Sequence, residues 1–134
     1  MTYFADGSRY TYSPSESEES LVNIGWLDGS MPFSSGEVAR ELMDVLREIC
    51  RAGVNRMRGY HQCNLCAPSS SPVAAVRVAS VNGDFFVGDA EIRITGSDGT
   101  RYASPNMIVH YVEAHGYRPP DDFLEAVAAR AKPS

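Results

Sequence analysis

The stretch that governs this chain reads Arg58-Gly59-Tyr60-His61-Gln62-Cys63-Asn64-Leu65-Cys66. It contains a C-x-x-C pair, whose intervening residues turn the chain so that both sulfurs face one ion. His61 and Cys63 are two positions apart, and in an extended chain such side chains project to the same side. One loop could therefore present three zinc ligands, namely His61, Cys63 and Cys66. A C-x-x-C pair alone is often incidental, so the prediction depends on the rest of the sequence.

A second stretch, residues 108–117, carries the other two histidines, His110 and His115. All 3 histidines and two of the 3 cysteines of the chain thus fall in two short stretches. This clustering predicts a zinc site that joins two segments distant in sequence. A thioredoxin-like redox pair is disfavoured, because Pro68 and serines follow Cys66 where such a motif would open a helix.

The sequence leaves open which four of the five candidate ligands bind the ion. In one arrangement the loop supplies three donors and one helical histidine completes the site. In the other, the two cysteines are joined by both His110 and His115. Residues five apart on a regular helix point about 140° away from each other. The second arrangement therefore requires a distorted helix end, which Gly116 would permit.

Composition and charge predict one globular domain that covers residues 1–134. A net charge of −5 and the lack of a basic run argue against a nucleic-acid partner and suit docking to another protein, a basic one in particular. No apolar window is long enough to cross a membrane, and the first residues lack the basic and apolar regions of a secretory signal. Three cysteines do not make a disulfide framework. We therefore predict a cytoplasmic protein.

The first predicted helix is amphipathic and starts at a capping box. Ser34 would cap the helix, and Glu37 would return to its backbone amide. Apolar residues recur at helical spacing from Val38 onward, and Gly53 is suited to end the helix. Cys50 lies on the apolar side, which predicts a buried and inert thiol.

Two further helices are predicted near the carboxyl end. Ser104 and Pro105 fit the cap and first position of the helix that carries the two histidines, and Gly116 would stop it. Asp121 or Asp122 would cap the last helix.

Between the first two helices, alternating apolar residues and turn signals predict three or four antiparallel strands, with Asn82-Gly83 as a hairpin turn. The predicted fold class is α+β: a small antiparallel meander packed with three helices, with a zinc knuckle joined to a helix in a loosely treble-clef-like way. Residues 13–20 read as an acidic surface loop, and residues 131–134 as a frayed tail.

No catalytic signature accompanies the candidate ligands. Glu113 lies between the helical histidines but does not form H-E-x-x-H, and the deaminase pattern is also missing. The favoured hypothesis is a zinc-stabilised, non-catalytic module that binds or regulates another protein, with an immunity-type module as one version. Aromatic residues of the first 33 positions are candidate anchors, although core packing is the expected use of most of them. The alternative is a small zinc-dependent hydrolase with three protein ligands and an open metal position.

A resemblance extends over most of the chain after residue 20. It is carried by the 58–66 stretch, by Gly88-Asp89-Ala90-Glu91-Ile92-Arg93-Ile94, and by the pattern from Tyr102 to Phe123 with its two histidines. These motifs resemble a family of small bacterial proteins of unknown function. The resemblance implies that these positions belong to one unit of a bacterial, cytoplasmic, single-domain protein, and it implies no activity.

Overall fold

The computed structural model describes residues 3–10, 21–61, 63, 65–66 and 76–131. Its elements are β1 Leu21–Asn23, α1 Arg40–Ala52, β2 Val76–Val78, β3 Phe85–Val87, β4 Glu91–Thr95, β5 Arg101–Pro105, α2 Ile108–His115 and α3 Asp121–Ala131. Three helices with small sheets confirm the predicted α+β class. The predicted acidic loop at 13–20 and the tail after Ala131 lie outside the described residues. No described helix has the length and apolar character needed to span a bilayer.

The strands form two sheets, whereas the sequence suggested one continuous meander. One sheet has the order β1-β5-β4, with β1 parallel and β4 antiparallel to β5, and the other is the β2–β3 hairpin. The strand structure is interrupted between β3 and β4 at Gly88, whose φ of 107° suits glycine. There Gly88 N–H donates to the Asn106 side chain and Gly88 C=O accepts from His61 N–H, so neither group is available to extend a strand ladder.

The predicted capping box of the first helix is wrong. Helix α1 begins at Arg40, and its N-cap residue, Ala39, makes no side-chain cap hydrogen bond. Ser34 Oγ instead donates to the carbonyl of Arg118 at 2.6 Å, and Arg118 N–H donates back to the Ser34 carbonyl at 3.0 Å. A tertiary contact has therefore replaced the local cap. The predicted helix end at Gly53 is confirmed.

The predicted start of the second helix is also wrong. Ser104 and Pro105 are the last residues of β5, where they pair with Ile92 and Glu91 of β4. Pairing with a neighbouring strand outweighs the local helix-start signal, and proline is tolerated because it stands at the strand end. Gly116 ends α2 in the left-handed conformation, with φ 69°, as predicted.

The aromatic residues near the amino terminus belong mainly to the core. Trp26 is 1% exposed, donates from Nε1 to the Ala103 carbonyl at 2.9 Å, and contacts Phe4 edge-to-face. Tyr10 is also buried, and its hydroxyl donates to Glu91 at 2.9 Å. These contacts leave Trp26 and Tyr10 little surface for a partner. Cys50 is buried, as predicted.

Candidate metal centre

The segment that leads to the first cysteine is held along its length by backbone hydrogen bonds. We call residues 54–61 the strap. Val54 exchanges both backbone hydrogen bonds with Glu91, Met57 N–H donates to the Asp89 carbonyl at 2.7 Å, and His61 N–H donates to the Gly88 carbonyl at 2.9 Å. The strap thus runs antiparallel to residues 88–91 and delivers the chain to Cys63.

A buried polar network fixes the same region through side chains. Asp89 accepts from Arg56 of the strap at 2.8 Å and from the Asn106 amide at 3.1 Å, and that amide's oxygen accepts from Gly88 N–H at 2.8 Å. Charge-assisted hydrogen bonds of this kind are stronger than neutral ones. Asn106 was not singled out from the sequence, because its partners are distant in the chain and no local pattern marks them.

Helix α2 supplies the histidines. Its apolar side is buried through Ile108, Val109, Tyr111 and Val112, which fixes the rotation of the helix about its axis. His110 and His115 are half-buried at the border of that face. Their rings lie close together, with centroids 5.0 Å apart and planes at 81°. Helix packing therefore brings both imidazoles to one point.

Within the described part of the chain, four donor atoms converge: one each from Cys63, Cys66, His110 and His115, all within 4.8 Å of one another. The Cys63 sulfur is 3.4 Å from His115 Nε2. The Cys66 sulfur is 3.4 Å from His110 Nε2 and 3.5 Å from His115 Nε2. Of the two arrangements left open by the sequence, the structure assembles two cysteines with two histidines.

The three sulfur–nitrogen separations match those around a tetrahedral zinc ion. With Zn–S of about 2.3 Å and Zn–N of about 2.0 Å, the sulfur and nitrogen donors of such a site stand about 3.5 Å apart. The Cys66 sulfur lies within reach of two imidazole nitrogens at once, as a shared metal ligand would. The group therefore has the composition and the spacing of a metal site.

The five-residue spacing of the histidines is accommodated at the helix end. His115 is the last residue of α2, and left-handed Gly116 follows it directly. Tyr117 N–H donates back to the Tyr111 carbonyl at 3.2 Å, so the final turn is closed by a wider loop than a regular helical bond. The glycine at this position is the feature that the sequence had marked as a possible distortion.

His61 does not belong to the group of four. The strap holds it through its backbone amide, which donates to Gly88, and burial lowers the pKa of its imidazole. The sequence placed His61 among five candidates because of its spacing from Cys63. In an extended chain this spacing would put both side chains on the same side, but His61 is not among the four converging donors.

Burial sets the protonation states of the metal-free site. It raises the pKa of the Cys63 thiol to about 11, so this thiol is protonated near neutral pH. It also lowers the pKa of His110, with a further contribution from His115, so this imidazole is neutral and ready to bind a metal. Metal binding therefore has to displace a proton from the Cys63 sulfur.

The carboxylate that lies between the two histidines in the sequence forms an ion pair with Arg47. Glu113 accepts hydrogen bonds from the guanidinium of Arg47 at 3.0 and 3.2 Å, which ties α2 to α1. The buried hydroxyl of Tyr111 has no hydrogen-bond partner among the described residues, and burial together with nearby Cys63 raises its pKa. Glu113 is thus held in an ion pair, and a tyrosine whose pKa is raised stays protonated near neutral pH.

A comparison with known families places these features in one sequence unit. A family model described as "Domain of unknown function (DUF7919)" matches residues 2–128, which is most of the chain. No curated protein and no solved structure matches this chain. The matched range includes the strap, both cysteines and both helical histidines.

Proposed function

This chain belongs to the family described as a domain of unknown function, DUF7919, and from its own geometry we propose a zinc-stabilised, non-catalytic module that binds or regulates another protein. The observation that carries the zinc assignment is the set of three sulfur–nitrogen distances between 3.4 and 3.5 Å. Two thiolates with two imidazoles form a common structural zinc set, and the hard cations Mg²⁺ and Ca²⁺ prefer oxygen ligands.

The number of protein donors supports a structural role for the ion. Catalytic zinc sites keep one position for water, whereas four protein donors fill a tetrahedral site. The ion pair of Glu113 with Arg47 also argues against a hydrolytic role, because it holds the carboxylate that lies between the two histidines in the sequence against α1. The hydrolase alternative therefore has no specific observation in its favour.

The ion would join the segment after the strap to α2. Cys66 is exposed, so burial contributes little to holding this end of the segment in place. A structural zinc site contributes on the order of 10 kcal/mol of binding energy that is realised only in the folded state. We therefore assign to zinc the task of fixing this surface of the protein.

Metal analysis of protein purified without added metal tests the proposal. We expect about one zinc per chain, and X-ray absorption should show two sulfur and two nitrogen ligands at the usual zinc distances. Cys63→Ser with Cys66→Ser should abolish the zinc content. Cys50→Ala is the matched control, because it removes the remaining thiol, which is buried away from the group of four. Folded protein that holds no stoichiometric zinc as purified would refute the structural assignment.

A further inference from the structure

Two aromatic side chains lie in contact on the surface, unlike the buried aromatics of the amino-terminal part. Tyr60 of the strap is 49% exposed, and Phe86 of β3 is 42% exposed. Their ring centroids are 5.7 Å apart with the planes at 54°. The two rings form a contiguous exposed apolar surface, and surfaces of this kind mark interaction sites when they extend further.

One arginine contacts this pair, and a second lies near Tyr60 in the sequence. Arg77 lies opposite Phe86 in the β2–β3 hairpin, with its guanidinium carbon 5.6 Å from the centre of that ring. Its side chain is 66% exposed, and its contact with Asp84 is long, at 3.9 Å. Arg58 is exposed on the strap, two positions before Tyr60. We call Tyr60, Phe86, Arg58 and Arg77 the aromatic patch.

The aromatic patch is held on a well-fixed support. The backbone of the strap is bonded to residues 88–91 at three points, and Tyr60 directly precedes the third, at His61. The chain then continues to Cys63 of the metal centre, so zinc would fix the carboxyl end of the strap. A surface that is ordered before binding loses less conformational entropy when a partner docks.

The residue types favour a protein partner. Tyrosine, phenylalanine and arginine are enriched in the cores of protein interfaces and dominate binding hot spots. Arg56 of the strap is paired with Asp89, whereas Arg58 adds a positive charge to a strap that has no acidic residue, in a chain of net charge −5. Arginine forks bind carboxylates through paired hydrogen bonds. The local charge thus fits an acidic partner, which differs from the basic partner that the overall charge suggested.

We propose that the aromatic patch docks an acidic segment of a partner protein. An apolar side chain of that segment packs on Tyr60 and Phe86, and its carboxylates pair with Arg58 and Arg77. This inference rests on the proposed function, because the zinc-bound segment holds the end of the strap. A single-stranded nucleic acid is less suited, because the acidic chain as a whole repels a polyanion.

Selection from a random peptide library displayed on phage, with the zinc-loaded chain as bait, tests the proposal. We expect enrichment of peptides that combine glutamate or aspartate with leucine or aromatic residues. Tyr60→Ala with Phe86→Ala should weaken binding of these peptides by about tenfold or more, as expected for hot-spot aromatics. Arg58→Glu with Arg77→Glu should shift the enriched peptides from acidic to basic.

The matched control is Met31→Ala with Arg40→Glu. Met31 is 42% exposed, like Phe86, and Arg40 is an exposed arginine outside the aromatic patch. This control should retain the acidic peptides. A labelled oligodeoxythymidine is titrated in parallel. If it binds, and if Tyr60→Ala with Phe86→Ala abolishes this binding, the proposal is overturned in favour of nucleic acid.

Zinc content separates failure of this inference from failure of the proposed function. The docking site alone is refuted if protein with one zinc per chain enriches no acidic peptide. It is also refuted if the arginine variant and the aromatic variant both still bind the enriched peptides. Protein that holds no zinc refutes the metal assignment whatever the library yields.

Discussion

The sulfur of Cys66 lies 3.4 Å from Nε2 of His110, although 44 positions separate the two residues in the chain. The same sulfur lies 3.5 Å from Nε2 of His115. Helix α2 and the segment after the strap therefore meet at a single point, and the metal-binding properties of the chain should depend on both partners.

Removing one histidine at a time should distinguish the ligands from their neighbour. We expect His110→Ala and His115→Ala each to lower zinc affinity by several orders of magnitude, because each leaves an incomplete set of donors. His61→Ala, the matched control, should keep one zinc per chain, since His61 lies outside the group of four. Competition with a chromophoric chelator measures all three affinities, and an equal loss for His61→Ala would mean that the group includes a fifth participant.

Zinc affinity should rise with pH. In the metal-free chain the pKa of the Cys63 thiol is raised to about 11, so near neutral pH its proton must leave before the sulfur can bind. Each unit of increase in pH below that pKa makes this step about tenfold more favourable. His110 adds little above pH 6.5, because its pKa is lowered and its imidazole is already neutral there. Chelator competition at several pH values checks the slope, and an affinity that stays flat with pH would contradict it.

Tyr111→Phe should stabilise the metal-free protein. The hydroxyl is buried without a partner among the described residues, and such a group costs about 1–3 kcal/mol. We expect the free energy of unfolding in urea to rise by about 1 kcal/mol. Tyr117→Phe is the matched control with the opposite sign, because the Tyr117 hydroxyl donates to Asp6 at 2.7 Å and its removal leaves the carboxylate without that bond.

Gly88→Ala should destabilise the strap. A β-carbon at this position would lie 2.6 Å from the His61 carbonyl oxygen, and φ is 107°. We expect a loss of about 3 kcal/mol in unfolding free energy, from crowding and from the unfavourable φ together. Gly99→Ala has a similar φ of 87° but open space around the site, so it should lose only about 1 kcal/mol. Equal losses for both would show that the close approach to His61 is unimportant.

Ser34→Ala should weaken a tertiary contact and leave α1 intact. The hydroxyl donates to the Arg118 carbonyl, ahead of α3, so its loss should lower stability by about 1 kcal/mol. Circular dichroism should show an unchanged helix content. Glu37→Ala, which removes the other half of the predicted capping box, should have almost no effect, because α1 begins three residues later.

The parts of the fold that sequence reasoning predicted depend on local chemistry. Gly53 and Gly116 end helices because their backbone conformations suit glycine, and Asn82-Gly83 lies in the loop of the β2–β3 hairpin. Cys63, Cys66 and the helical histidines were found because few side chains bind metal through sulfur or nitrogen. The protein's single-domain character, its compartment and its partner stay predictions.

The parts that it missed depend on contacts between distant residues. Ser34 resembles a helix cap by sequence, but the carbonyl of Arg118 competes for its hydroxyl. Ser104 and Pro105 resemble a helix start, but pairing with β4 keeps them in a strand. The strap has no periodic pattern of apolar residues, and its conformation depends on backbone hydrogen bonds to residues 88–91. No local signal could have revealed any of these partners.

The parallel pairing of β1 with β5 has a consequence for synthesis of the chain on the ribosome. Val22 aligns with Tyr102, and until β5 has been synthesised β1 has only its antiparallel contact with residues 8–10, where Val22 pairs with Arg9. Pairings of such long sequence separation form slowly. The nascent amino-terminal part, including Trp26, therefore lacks its partner strand until late in synthesis. We expect chaperones to recognise this part of the chain first.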